Sequence, residues 1–325
     1  MSDHEFKFPS PWSNRISLKP ENKKKVIIFL SFAFGIAWLT ALVIFLTGGL
    51  TNSPVLDANT GISLALLLLA GPYMWAPALA NLLTRLVTRE GNHNFYLKPD
   101  LKRDWLYWLM AWVGPPLLIA FGALLYFLFF PQHFDSSFQT IRMQIALTGQ
   151  DATQVNIPQL ILLQSLFAIL TAPVLNGIST FGEEFGWRAY LLPKLQELGT
   201  RKALLLSGVI WGVWHWPVIA MGHNYGLGYA GEPWLGMLMM VWIMVVDGVL
   251  IGWLALRGRS VWPAVIAHGA LNGFAAISLL IVKGDPSRFI GPLPTGVIGS
   301  LGFTIAAAWV LFSPRALADL EPKSD

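Results

Sequence analysis

The chain is 325 residues long, 54% hydrophobic and only 12% charged, with a formal net charge of +4. A soluble domain carries about 25% charged residues, so this composition excludes an ordinary soluble fold. The absence of cysteine excludes disulfides, thiolate catalysis and cysteine-ligated zinc.

Residues 1–25 are polar, contain Pro9, Pro11 and Pro20, and read as a cytoplasmic tail rather than a cleavable leader. A membrane-spanning helix needs about 20 predominantly apolar residues. Eight such runs follow, at 26–47, 62–84, 105–130, 157–180, 203–221, 233–256, 261–282 and 294–313, and the fourth can continue to about 197. Pro115, Pro116 and Pro173 fall inside these runs, which membrane helices tolerate where neighbours satisfy the freed backbone groups. Between the third and fourth runs, Phe134, Phe138, Ile141 and Ile145 are spaced as in a short amphipathic interfacial helix; an ordinary polar loop is the alternative. Residues 314–325 form a second tail. The expected fold is all-α: a polytopic transmembrane bundle of about eight helices forming one membrane domain over 26–313.

Cytoplasmic loops of membrane proteins carry the excess of Lys and Arg. With the N-terminus in the cytosol, 19 of the 22 Lys and Arg residues fall on the inner side, and only Arg142, Lys283 and Arg288 fall outside. This asymmetry supports an N-in, C-in orientation. Short loops and the lack of organelle signals point to a bacterial plasma membrane. The basic charge thus serves topology, and membrane lipid, not nucleic acid, is the expected partner.

Ionisable groups inside a membrane cost roughly 2.5–3.5 kcal/mol each on insertion scales, so they face an interior or a cavity. Three clusters and one isolated acid, Asp247, stand out. In Glu183-Glu184-Phe-Gly-Trp-Arg188, Glu184 and Arg188 are i and i+4 in the favoured direction for an ion pair. Arg188 would neutralise Glu184 and leave Glu183 as a base, with the adjacent carboxylates repelling each other. Gly182 and Gly186 would let another helix approach closely. The same spacing also suits a structural charge network.

In Trp211-Gly-Val-Trp-His215-Trp-Pro217, Trp211 and His215 share a helix face. His215 is either a catalytic base or a hydrogen-bonded structural residue. In His268-Gly-Ala-Leu-Asn272 two donors share a face, suited to an oxyanion or to interhelical hydrogen bonds. Asp247 is expected either to join this network or to make a separate interhelical contact.

At these residues the chain resembles the CPBP family of intramembrane proteases, which includes the type II CAAX prenyl endopeptidases and bacteriocin-processing or immunity proteins. The E-E-x-x-x-R signature is met by Glu183, Glu184 and Arg188, the F-x-x-x-H signature by His215 with Trp211 in the Phe position, and H-x-x-x-N by His268 and Asn272. The resemblance covers a protease-like core at about 157–282. It implies an eight-helix bundle with a cavity open to cytosol and bilayer. It further implies that Glu183 and His215 activate a water while His268 and Asn272 stabilise the oxyanion, with Glu184, Arg188 and Trp211 in support.

No Gly-x-Ser-x-Gly elbow or His-Glu-x-x-His helix is present, so serine and zincin chemistry have no sequence support. The expectation is an intramembrane endopeptidase acting on a membrane-bound or lipidated peptide, with no cofactor favoured. A metalloprotease in which Glu183, His215 and His268 hold zinc is the variant of this reading. The rival classes are a non-catalytic scaffold or immunity protein, and a proton-coupled transporter. The latter is disfavoured by the lack of repeat halves.

Overall fold

A computed structural model of the chain describes residues 17–147, 149, 151–318 and 320. Most of the N-terminal tail (1–16) and the end of the C-terminal tail (321–325) lie outside the described residues. Among the described residues, six helices are long and apolar enough to cross a membrane: α1 Pro20–Leu46, α2 Leu64–Thr88, α3 Leu101–Phe129, α5 Ile157–Leu175, α9 Trp234–Arg257 and a span from Trp262 to Ile281 that begins with α10, Trp262–Phe274. The protein is an all-α polytopic membrane bundle. One hairpin, β1 Val55–Asp57 and β2 Ile62–Ser63, joins α1 to α2.

α1 shows how the sequence orients these helices. Phe29, Ala33, Ala37, Ala41 and Ile44 repeat every three or four residues and are buried, whereas Leu39, Phe45 and Leu46 on the other face are exposed. An exposed apolar face is the expected surface where hydrocarbon, not water, is the solvent. α9 is the most buried of the long helices and α5 the least.

Two of the eight expected spans are shorter than the sequence pattern suggests. The fifth is divided into α7, Thr200–Trp214, and α8, Trp216–Ala220, on either side of His215. Pro217 has no N–H for the Val213 carbonyl, which interrupts the helical hydrogen-bond pattern at this point. The eighth is reduced to α11, Leu301–Phe312, because the Gly-rich approach to it folds into turns. There Gly299 lies against Gly122 of α3, with no room for a side chain on either. A short α12, Pro314–Leu317, follows. The interfacial helix expected in 131–156 is α4, Gln139–Leu147, with Ile141 buried.

The fourth span does run on. After α5 the path continues through Asn176 into α6, Gly177–Gly186, a π-helical turn at Trp187–Leu191 and one more helical turn at Leu192–Leu195. Pro173 leaves the Ile169 carbonyl without its helical donor, and Trp112 Nε1 of α3 takes it at 2.6 Å.

Close approach depends on small residues. A Cβ on Gly182 would stand 2.8 Å from the Met74 carbonyl, and one on Gly208 of α7 would stand 2.6 Å from Val245 Cα of α9. At the helix ends, Glu90 accepts from Lys194 Nζ at 2.5 Å and from the Tyr190 hydroxyl at 3.0 Å, and Lys25 of α1 stands 3.9 Å away. Burial raises the Glu90 carboxyl, but Lys194, Tyr190 and Lys25 outweigh it and hold the group below its ordinary value.

Candidate active site

α6 is seated on α2 by Gly182 and Gly186, and this contact directs both acidic residues into the bundle. Glu183 and Glu184 are buried, as are Arg188 and His268. Arg188 Nη1 stands 3.1 Å from both oxygens of Glu184, with hydrogen-bond geometry to Oε1. His268 Nδ1, from α10, donates to the same Oε1 at 2.8 Å. A buried carboxylate is tolerated where it is paired and hydrogen-bonded, and Glu184 has both an arginine and an imidazole. Arg188 lies in the π-helical turn that follows α6. Its guanidinium lies over the Trp211 ring, 4.2 Å from the centroid.

Trp211 connects the clusters. Its Nε1–H donates to Glu183 Oε2 at 2.7 Å. Its ring meets the His268 ring edge-to-face at 5.3 Å and lies 5.8 Å from that of His215. A phenylalanine could supply the packing but not the hydrogen bond, so Trp211 adds a fixed donor to Glu183.

The break at His215 sets the chemistry of that residue. The His215 backbone N–H bonds to the Gly212 carbonyl rather than continuing the α-helical pattern, which frees the Trp211 carbonyl. His215 Nδ1 occupies that carbonyl at 2.8 Å. A carbonyl only accepts, so Nδ1 carries the proton and Nε2 keeps its lone pair. Likewise Val218 N–H bonds to His215 O, leaving the Trp214 carbonyl to Tyr73 Oη at 2.8 Å and Trp38 Nε1 at 3.2 Å. Both residues escaped the sequence reading, since each sits in an apolar run with no motif around it. The signal near Tyr73 was Gly71-Pro72, which marks the π-helical turn at Leu69–Tyr73.

Asn272 lies one turn beyond His268 on α10 and is exposed, and its side chain has no hydrogen-bond partner among the described residues. His215 is half-buried. The acids are thus more deeply buried than His215 and Asn272. Asp247 of α9 is buried.

Among the described residues no three His, Asp or Glu side chains are grouped to hold a metal ion. Glu183, His215 and His268, the set a zinc site would use, turn bonded atoms toward Trp211 and Glu184 instead.

Comparison with known proteins matches residues 158–274 to the family model described as type II CAAX prenyl endopeptidase, Rce1-like. The chain is also 31% identical over 153 residues to the "CAAX prenyl protease 2" of Methanococcus maripaludis, covering 46% of this chain and 50% of that protein. The chain thus spans about half the length of the curated relative it matches. The matched family region holds Glu183, Glu184, Arg188, Trp211, His215, Asp247, His268 and Asn272.

Proposed function

We propose, for a chain whose residues 158–274 match the family model of Rce1-like type II CAAX prenyl endopeptidases, that the protein is an intramembrane endopeptidase cleaving a membrane-bound or prenylated CAAX-type peptide. The observation that carries the reading is the meeting of three helices at Trp211 and Glu184. Glu183, His215 and His268 surround one indole, and Arg188 neutralises the second carboxylate.

In this reading a water lies between Glu183 and His215 Nε2, and one of them takes its proton as the oxygen attacks the scissile carbonyl carbon. His268, fixed through Nδ1 by Glu184, turns Nε2 toward the developing oxyanion and as imidazolium donates to it. Asn272 supplies the second donor. The proton then passes to the departing amide nitrogen, the C–N bond breaks, and a carboxylate and an amine leave. With Glu183 and Glu184 ionised, Arg188 and an imidazolium at His268 balance the two negative charges. The reading is metal-free, with Glu183 as the glutamate of a glutamate-type protease. The Lys and Arg distribution supports both termini facing the cytosol, and the short loops support a bacterial plasma membrane.

The test is cleavage of a farnesylated CAAX peptide by the full chain in liposomes. Wild type cleaves it, while Glu183→Ala and His215→Ala insert normally and do not. Wild-type-like cleavage by either variant rejects the site, and no cleavage by wild type of either a lipidated or an unlipidated peptide rejects the function.

A further inference from the structure

Glu183 and His215 lie on different segments of the chain, and the reaction above needs them to face one water. The peptide bond that precedes His215 is held at both ends. Its N–H donates to the Gly212 carbonyl at 3.2 Å, and its carbonyl, that of Trp214, accepts from Tyr73 Oη at 2.8 Å and from Trp38 Nε1 at 3.2 Å. Tyr73 is buried, and its ring packs on that of Trp214 with centroids 4.4 Å apart, whereas Trp38 is 40% exposed. The shorter bond is thus the one made inside the bundle, where a carbonyl has no bulk water to turn to.

Tyr73 ends the π-helical turn Leu69–Tyr73, and the residues directly after it carry α6. A Cβ on Gly182 would stand 2.8 Å from the Met74 carbonyl oxygen and 2.9 Å from Trp75 Cα. Gly182 immediately precedes Glu183. Neighbouring residues of α2 therefore touch both halves of the site: Tyr73 the peptide of His215, and Met74 the backbone beside Glu183. Consecutive Cα atoms are fixed about 3.8 Å apart, so this stretch of α2 relates the two groups with little freedom. The constraint continues into the His215 side chain. Nδ1 reaches the Trp211 carbonyl at 2.8 Å, and the ring meets that of Trp214 edge-to-face at 4.8 Å, contacts that depend on where the His215 backbone is held.

We propose that Tyr73 is a positioning residue: its hydroxyl holds the peptide bond before His215, and α2 thereby fixes the His215 imidazole relative to Glu183. Trp38 supports the same carbonyl from the lipid side and is the lesser of the two. The consequence for rate rests on the endopeptidase reading; the hold on His215 does not.

The experiment keeps the two apart. Trp214-His215 is the one Trp-His pair in the sequence, so the full chain labelled with carbonyl-¹³C tryptophan and ¹⁵N-histidine gives a single coupled peptide signal there. The protein is studied in lipid bilayers by solid-state NMR, with His215→Gln identifying the ring signals. Tyr73→Phe keeps the ring against Trp214 and removes only the hydroxyl. It moves the Trp214 carbonyl signal and, with it, the His215 Nδ1–H signal. A hydrogen bond of this kind converts to a rate factor of about threefold to tenfold, so kcat on the farnesylated CAAX peptide falls by that much with KM within about twofold. Trp38→Phe, which loses the longer bond, moves every readout less. His215 ring signals unmoved in Tyr73→Phe overturn the proposal, as does an unchanged kcat where wild type cleaves, or a Trp38→Phe variant more impaired than Tyr73→Phe. If wild type cleaves nothing, the endopeptidase reading falls alone, and the His215 signals decide whether Tyr73 holds the ring.

Discussion

Neutralising Glu184 puts the buried charge network to a quantitative test. Glu184→Gln keeps the shape of the side chain but removes the charge that faces Arg188 Nη1 at 3.1 Å and His268 Nδ1 at 2.8 Å. Arg188 is buried, and its two remaining donor atoms have no partner, so the variant leaves a cation with its closest counter-ion gone. Breaking a buried pair from one side costs about 3–5 kcal/mol, because the surviving charge stays desolvated. Arg188→Met strands Glu184 in the same way, with only His268 left to it. The double variant removes both stranded charges and is less destabilised than the sum of the singles by about 2 kcal/mol or more. The assay is unfolding of the four proteins in one detergent or nanodisc system, read by intrinsic tryptophan fluorescence. Single-variant losses that add to within about 0.5 kcal/mol would refute the reasoning, since independent sites add and stranded partners do not.

Trp211→Phe keeps an aromatic ring but removes the 2.7 Å hydrogen bond to Glu183. A bond to a charged group is worth about 1.5–3 kcal/mol, so kcat falls about tenfold or more while KM holds, measured on the farnesylated peptide. Pro217→Ala gives the Val213 carbonyl a donor and lets α7 run on through His215. The backbone then competes with Nδ1 for the Trp211 carbonyl, and turnover drops while thermal stability holds or rises, checked by paired rate and melting measurements. Glu90 lies outside the spans and its carboxyl is held below its ordinary value. Its contribution to stability is therefore present above that ordinary value and is lost as pH falls through the lowered one. Glu90→Gln flattens the acid limb of melting temperature against pH relative to wild type.

The α-helical bundle and the three clusters were legible because each rests on a local rule. Apolar runs mark spans, and the i, i+4 spacings put Glu184 with Arg188 and Trp211 with His215. Gly182 and Gly186 were read as points of close helix approach, and α6 does lie against α2 there. The division of the fifth span was not foreseen: hydropathy sees Pro217 as one more apolar residue, whereas its effect is to remove an N–H and reassign two carbonyls. The last span is shorter than expected for a similar reason, since the first residues of the apolar run 294–313 fold into turns against α3 and only Leu301–Phe312 is helical. Tyr73 and Trp38 come from distant runs and act through backbone carbonyls freed elsewhere, a relation no local pattern encodes.

The most direct measurement is the protonation pattern of His215 and His268 in bilayers, from ¹⁵N spectra of histidine-labelled protein. The account predicts a protonated Nδ1 and bare Nε2 on His215, together with a His268 Nδ1–H whose hydrogen-bond signature disappears in Glu184→Gln. A His215 protonated on Nε2 alone, with a His268 spectrum indifferent to Glu184, would place the two rings in unrelated environments and contradict the shared site.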